Sequence, residues 1–120
     1  MNTQTINLKP YEVVHQQHVR NKDTQQIELK DVTTTIDPRI VIYELMRAPG
    51  VFKSGSEVVE AVIIARTIRD AGETMEINDN DLAVVKKALD HFIAKPHDPE
   101  SGKIALGGPD YEELILRIYS

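Results

Sequence analysis

SGSEVVEAVIIARTIRDAG, from Ser54 to Gly72, is the most apolar run of the chain and carries a helix start signal and a helix stop signal at its two ends. Ser54 with Glu57 three residues on has capping-box spacing, Ser56 is the competing cap, and Gly72 is the expected terminating residue. Arg66 and Arg69 lie near the C-terminus, where positive charge favours the helix dipole. At 100° per residue, Val58, Ala61, Val62, Ile64, Ala65 and Ile68 share one broad arc, while Val59 and Ile63 fall on the far side beside Arg66 and Asp70. A helix apolar on two sides needs cover on two sides. Either the domain sandwiches it, or Val59 and Ile63 meet a partner or a second copy.

Outward from this helix, the N-terminal third is β-favouring. Thr5-Ile6-Asn7-Leu8-Lys9 alternates, Tyr11 to His15 continues in extended-chain residues, a polar turn follows at Arg20 to Thr24, and Ile27-Glu28-Leu29-Lys30 alternates into the β-branched run Val32 to Ile36. A hairpin or small antiparallel sheet is expected there, with Ile6, Leu8, Val13, Ile27 and Leu29 facing the helices. Asp37-Pro38 starts a short helix with Val41, Ile42, Leu45 and Met46 on one side, and Pro49-Gly50 ends it. Phe52 is expected to tuck into the core.

Beyond Gly72, Glu73 to Ile77 is a short strand or connector, and Asn78-Asp79-Asn80-Asp81 opens a helix running to about Ala94. Leu82, Val85, Leu89, Phe92 and Ile93 form its single apolar face. Pro96 stops it. A loop with Gly102, Gly107, Gly108 and Pro109 leads to a last helix faced by Tyr111, Leu114, Ile115 and Ile118. The composite is an α+β domain, a β-hairpin or small antiparallel sheet followed by about four helices, with the Ser54 to Gly72 helix central and residues 1–120 forming one unit.

Composition narrows the function classes. The chain has 120 residues, no cysteine and a net charge of −5. Residues 1–48 balance at six basic and six acidic groups, so the deficit lies wholly in the second part, with eight basic and thirteen acidic. Such a chain lacks the basic patch with which phosphate backbones are bound, which argues against nucleic acid. Thiol catalysis, disulfides and cysteine zinc sites are excluded, and a reducing cytoplasm is the expected setting. MNTQTINLKP has no basic region followed by an apolar core, and no run approaches a membrane span, so neither export nor a membrane is expected.

Individual motifs carry little chemistry. His15 and His18 share a helix face but oppose each other on a strand, which weakens a metal reading. Asp70, Glu73, Glu76, Asp79 and Asp81 form an acidic cluster whose spacing departs from the twelve-residue calcium loop; capping explains Asn78, Asp79 and Asp81 better. Gly107-Gly108-Pro109 lacks the following lysine of a phosphate loop. His91 and His97 adjoin Asp90 and Asp98, yet no nucleophile is recognisably placed beside them. No catalytic, cofactor or metal residue is assigned, and an enzyme is not expected.

The order of pieces nevertheless resembles a group of small bacteriophage-encoded proteins of unassigned function. The likeness is carried by Ile27-Glu28-Leu29-Lys30-Asp31-Val32, Ser54-Gly55-Ser56-Glu57 before Ala65-Arg66, Met75-Glu76-Ile77, and Val84-Val85-Lys86-Lys87-Ala88-Leu89. It departs from the group where a second glutamate normally follows Ser-Gly-Glu and in the proline-containing loop from Lys95. The resemblance implies no catalytic residue.

The function expected is therefore a small acidic protein-interaction module, phage or mobile-element encoded, that binds a host or phage protein in the bacterial cytoplasm. Its expected partner-binding residues are Val59, Ile63, Arg66, Asp70, Glu73 and Glu76. The alternative is a structural or assembly accessory of a virion that acts as a homo-oligomer.

Overall fold

The computed structural model describes residues 3–93, 106 and 109–119. Four strands and four α-helices follow one another as β1 (Thr3–Asn7), β2 (Tyr11–Arg20), β3 (Ile27–Ile36), α1 (Pro38–Met46), α2 (Gly55–Arg69), β4 (Thr74–Asn78), α3 (Asp79–Ile93) and α4 (Glu112–Tyr119), with a single 3-10 turn at Pro109–Tyr111 before α4. The architecture is α+β, as the alternation and periodicity predict.

The strands do not form one N-terminal sheet. β1 pairs antiparallel with β4, Ile6 opposite Met75, and β2 pairs, among the described residues, only with β3, Tyr11 opposite Ile36 through to Arg20 opposite Ile27. The stretch after Gly72 is thus a strand whose partner lies about seventy residues upstream. Pro10 separates β1 from β2, and the Leu8 amide carries the β1–β4 register one position further, bonding the Glu73 carbonyl at 2.7 Å. A proline cannot donate to a ladder, so the chain breaks there and the two halves join different partners.

The body forms where the helices meet β1 and β4. α1 packs on α2 and α3, and α4 lies against β1. Leu8, Ile42, Met46, Ile68, Val85, Leu89, Leu106, Leu114 and Ile118 are fully buried among them. The whole expected face of α1 is buried, as are Leu82, Val85, Leu89 and Phe92 of α3; Ile93, expected with them, is exposed. It is the last residue of α3 among those described. Phe52 is half-buried against the core, under the ammonium of Lys87 at 5.6 Å from its ring centre.

Caps set the helix limits. Asp37 accepts from the Arg39 amide at 3.1 Å with Pro38 at the first helical position, and Asn78 accepts from the Asp81 amide at 2.8 Å. Ser54, not Ser56, caps α2. Its Oγ accepts from the Glu57 amide at 3.2 Å and donates to the Glu57 carboxylate at 3.3 Å. Ser54→Ala is expected to cost about 1 kcal/mol, read as a fall in the denaturant midpoint with an unchanged slope. The far end of α2 differs from expectation: the helix stops at Arg69 with Asp70 as cap, and Gly72 is not left-handed. Only Gly50, at φ +85, is a left-handed glycine among the described residues. It follows α1 as the Pro49-Gly50 signal predicts.

The β2–β3 hairpin is an arm. Its base packs on the core through Tyr11, Val13 and Ile36. Ten residues of strand span about 33 Å, and the molecule measures 61 × 28 × 23 Å. The expectation that Ile27 and Leu29 face the helices does not hold. They sit at the distal end, 66% and 59% exposed. A strand of this length outruns the body beneath it, so alternation alone does not deliver cover.

Candidate functional site

The face of α2 opposite the core carries Val59, Ile63, Arg66 and Asp70, spaced by four, three and four residues and therefore within one narrow stripe. Val59 and Ile63 are each 60% exposed. The sandwiched-helix reading fails for them, because α1 and α3 cover only the side formed by Ala61, Ile64, Ala65 and Ile68. Val58, expected in the buried arc, is also exposed, since it lies in the first turn at the arc's margin. Thr67, exposed on the same side, turns its hydroxyl back to the Ile63 carbonyl at 3.0 Å.

The charged residues around this stripe are held to different degrees. Arg66 is exposed and its guanidinium lies in the last turn of α2. Asp70 takes an ion pair from Arg69 at 3.0 Å, which holds its carboxyl below the usual carboxylate range. Arg69 in turn donates to the Tyr43 hydroxyl at 3.1 Å and stacks on that ring, as does Arg47 from the other direction. Glu73 and Glu76 are exposed, one in the connector and one on β4. Asp70 is thereby anchored to α1 through Arg69 and Tyr43, which fixes one end of the stripe. The stripe brings four of the six expected residues onto a single helix face; Glu73 and Glu76 belong to the neighbouring connector and strand.

The N-terminal end of α2 is tied down as well. Lys87 of α3 reaches the Glu57 carboxylate at 2.7 Å. The hydrogen bond from Lys87, with help from Ser54, lowers the Glu57 pKa, while its partial desolvation opposes the shift. A carboxylate depressed in the folded state contributes stability above its unfolded value of about 4.3 and loses it as pH falls through the lower folded value. Carboxyl NMR titration is expected to find Glu57 below the ordinary range, and Lys87→Met to return it there.

A second exposed apolar surface was not foreseen as one. Val14, Leu29 and Ile27 lie on the same face of the arm, because Val14 opposes Thr33, Leu29 opposes His18 and Ile27 opposes Arg20. At the arm's base a cleft of about 440 Å³ lies between β2 and α4, lined by Glu12 and Val14 of this face, by Tyr11 and Val13 of the other, and by Glu112, Glu113 and Leu116. Leu116, 61% exposed, is off the expected apolar face of α4. The signal available in the sequence is the length of the two strands flanking Asn21 to Gln26, which is too great for either to be covered throughout.

The polar groups that do converge are spent on structure. Arg39 pairs with Asp37 and donates to the Ala71 carbonyl at 2.9 Å, linking α1 to the end of α2. Tyr119 donates to the Asp90 carboxylate at 2.6 Å; burial first, then that carboxylate, pushes its pKa well up. Arg117 donates to the Lys9 carbonyl at 2.6 Å and stacks on Tyr11, whose hydroxyl bonds the Asp110 carbonyl at 3.1 Å. Among the described residues no three histidine or carboxylate side chains meet as metal ligands. The acidic residues from Asp70 to Asp81 are divided between an ion pair, a strand and the start of α3. His15 and His18 both fall within β2, so the helix-face reading does not apply to them. His97, Asp98, Gly107 and Gly108 lie outside the described residues, as does the expected end of α3 at Ala94 to Pro96. No helix among the described residues is long and apolar enough to cross a membrane. No protein-family model, curated protein or solved structure matches the chain.

Proposed function

We propose that this protein is a small, acidic, non-enzymatic interaction module that binds another protein through the exposed stripe of α2, as an inhibitor or adaptor. One observation carries the reading: two aliphatic side chains one helical turn apart stand in solvent on the face opposite the core, on a helix fixed at both ends. Exposed aliphatics on rigid elements supply binding energy at small entropic cost, and charges beside them give orientation. Arg66, Asp70, Glu73 and Glu76 are the charges that fill this role. The resemblance to small phage-encoded proteins supports a phage or mobile-element origin and a partner in the bacterial cytoplasm.

Capture from a bacterial lysate with the wild-type chain and with the double variant Val59→Glu/Ile63→Lys tests the proposal. A protein retained by the first and lost with the second, at equal melting temperature, supports it. Retention by both rejects the stripe.

A second reading is favoured by the arm. Two-stranded hairpins are marginal in water, yet this one projects from the body with apolar side chains exposed on one face and, among the described residues, both strand edges unpaired. A homo-oligomer, as in a virion assembly accessory, is a natural way to cover it.

A further inference from the structure

We propose that the arm is a dimerisation device: its tip docks in the acidic cleft at the base of the arm of a second copy, and the exchange is reciprocal. The inference rests on the homo-oligomer reading and is independent of the α2 stripe.

The arm face that begins in the cleft is two-ended. At its base are Glu12 and Val14, with Glu112, Glu113 and Leu116 across the cleft. At its tip are Ile27, Leu29, His18 and Arg20, all exposed, with Lys22 and Asp23 in the turn beyond. The base is acidic and apolar, and the tip on this face is basic and apolar. Of these carboxylates Glu113 is partly neutralised, by Arg117 at 2.9 Å.

Two arms laid face to face in opposite directions about a two-fold axis satisfy both ends at once. Glu12 and Arg20 are equidistant from Gln16 on the same strand face. An axis through Gln16 therefore sets each Arg20 over the Glu12 of the other copy and brings Ile27 and Leu29 toward the partner's Val14 and Leu116, at the cost of placing the exposed Asp31, which opposes Gln16, beside its own counterpart at the axis. A closed two-fold contact of this kind is self-complementary without further subunits. A parallel arrangement would instead stack Arg20 on Arg20 and Glu12 on Glu12. The turn is shaped to hold the tip: the Asn21 side chain accepts from the Asp23 amide at 2.9 Å and the Asn21 amide bonds the Gln26 carbonyl at 2.8 Å, with Gln25 left-handed at φ 61. A contact confined to one two-stranded face is small for a stable interface, which points to a dimer that dissociates with roughly micromolar affinity.

Sedimentation equilibrium of the full chain over a range around micromolar concentration tests this. Wild type is expected to move from monomer to dimer. Arg20→Glu and Glu12→Arg are each expected to weaken the dimer by about 10-fold or more, and the two together to restore it to within about threefold, because the swapped charges meet again. Val59→Glu/Ile63→Lys is expected to leave the dimer unchanged, and thermal melts confirm that all variants fold. A chain that stays monomeric throughout the range leaves the arm to another protein and overturns both this inference and the homo-oligomer reading. An oligomer indifferent to Arg20→Glu overturns the arm exchange alone.

Discussion

Replacing Ile68 with alanine is expected to destabilise the fold by about 2–5 kcal/mol, whereas the same change at Ile63, five residues earlier on the same helix, is expected to stay within about 0.5 kcal/mol of wild type. Ile68 is fully buried in the cluster shared by α1, α2 and α3. Truncation there removes three carbons, worth about 0.8 kcal/mol each in transfer, and leaves a cavity that the packed helices close only in part. Out of a total stability of about 5–15 kcal/mol this is a large fraction. Thermal melting is expected to fall by roughly 10–20 °C. At Ile63 little apolar surface is withdrawn from water on folding, and alanine is the better helix former by a few tenths of a kcal/mol. Melting of the two variants side by side measures the asymmetry of α2. A comparable loss at both sites would mean that Ile63 is covered in solution.

The same asymmetry marks how far the fold could be read from the chain. Helix identities and most buried faces follow from local rules. Asp37-Pro38, Ser54 with Glu57, and Asn78 with Asp81 each place a side-chain acceptor before an apolar repeat, and each caps its helix. Strand pairing does not follow, because alternation marks a strand without naming its neighbour. β1 chooses β4 over β2, and the information that decides it is the break at Pro10 together with packing that unites residues about seventy apart. Burial in the arm fails for a related reason. Ile27 and Leu29 alternate with polar residues just as Ile6 and Leu8 do, but only the latter have helices against them. Of the binding residues expected from the sequence, Val59, Ile63, Arg66 and Asp70 share a stripe because helical spacing dictates it. The relation of Glu73 and Glu76 to that stripe depends on where β4 lies, which helical spacing does not specify.

Reversing the chemistry of that stripe is expected to separate binding from folding. In Val59→Glu/Ile63→Lys the new glutamate stands one turn before the new lysine, the favourable order for a pair on a helix surface, worth about 0.2–0.5 kcal/mol. The helix therefore keeps or slightly gains stability, and no buried group is disturbed, since both positions face away from Ile64 and Ile68. Binding responds in the opposite sense. Aliphatic anchors at the centre of an interface commonly carry about 2 kcal/mol or more each, and burying two charges without partners adds a desolvation cost. The expected loss is about 100-fold or greater in affinity, measured by titration calorimetry against the captured partner. Arg66→Ala, by contrast, is expected to act chiefly on the association rate and its salt dependence, because an exposed charge at the rim steers approach more than it holds the complex. Intact folding with unaltered affinity in the double variant would move the partner site off α2. Loss of folding would instead return Val59 and Ile63 to a covered surface and remove the basis for the binding face.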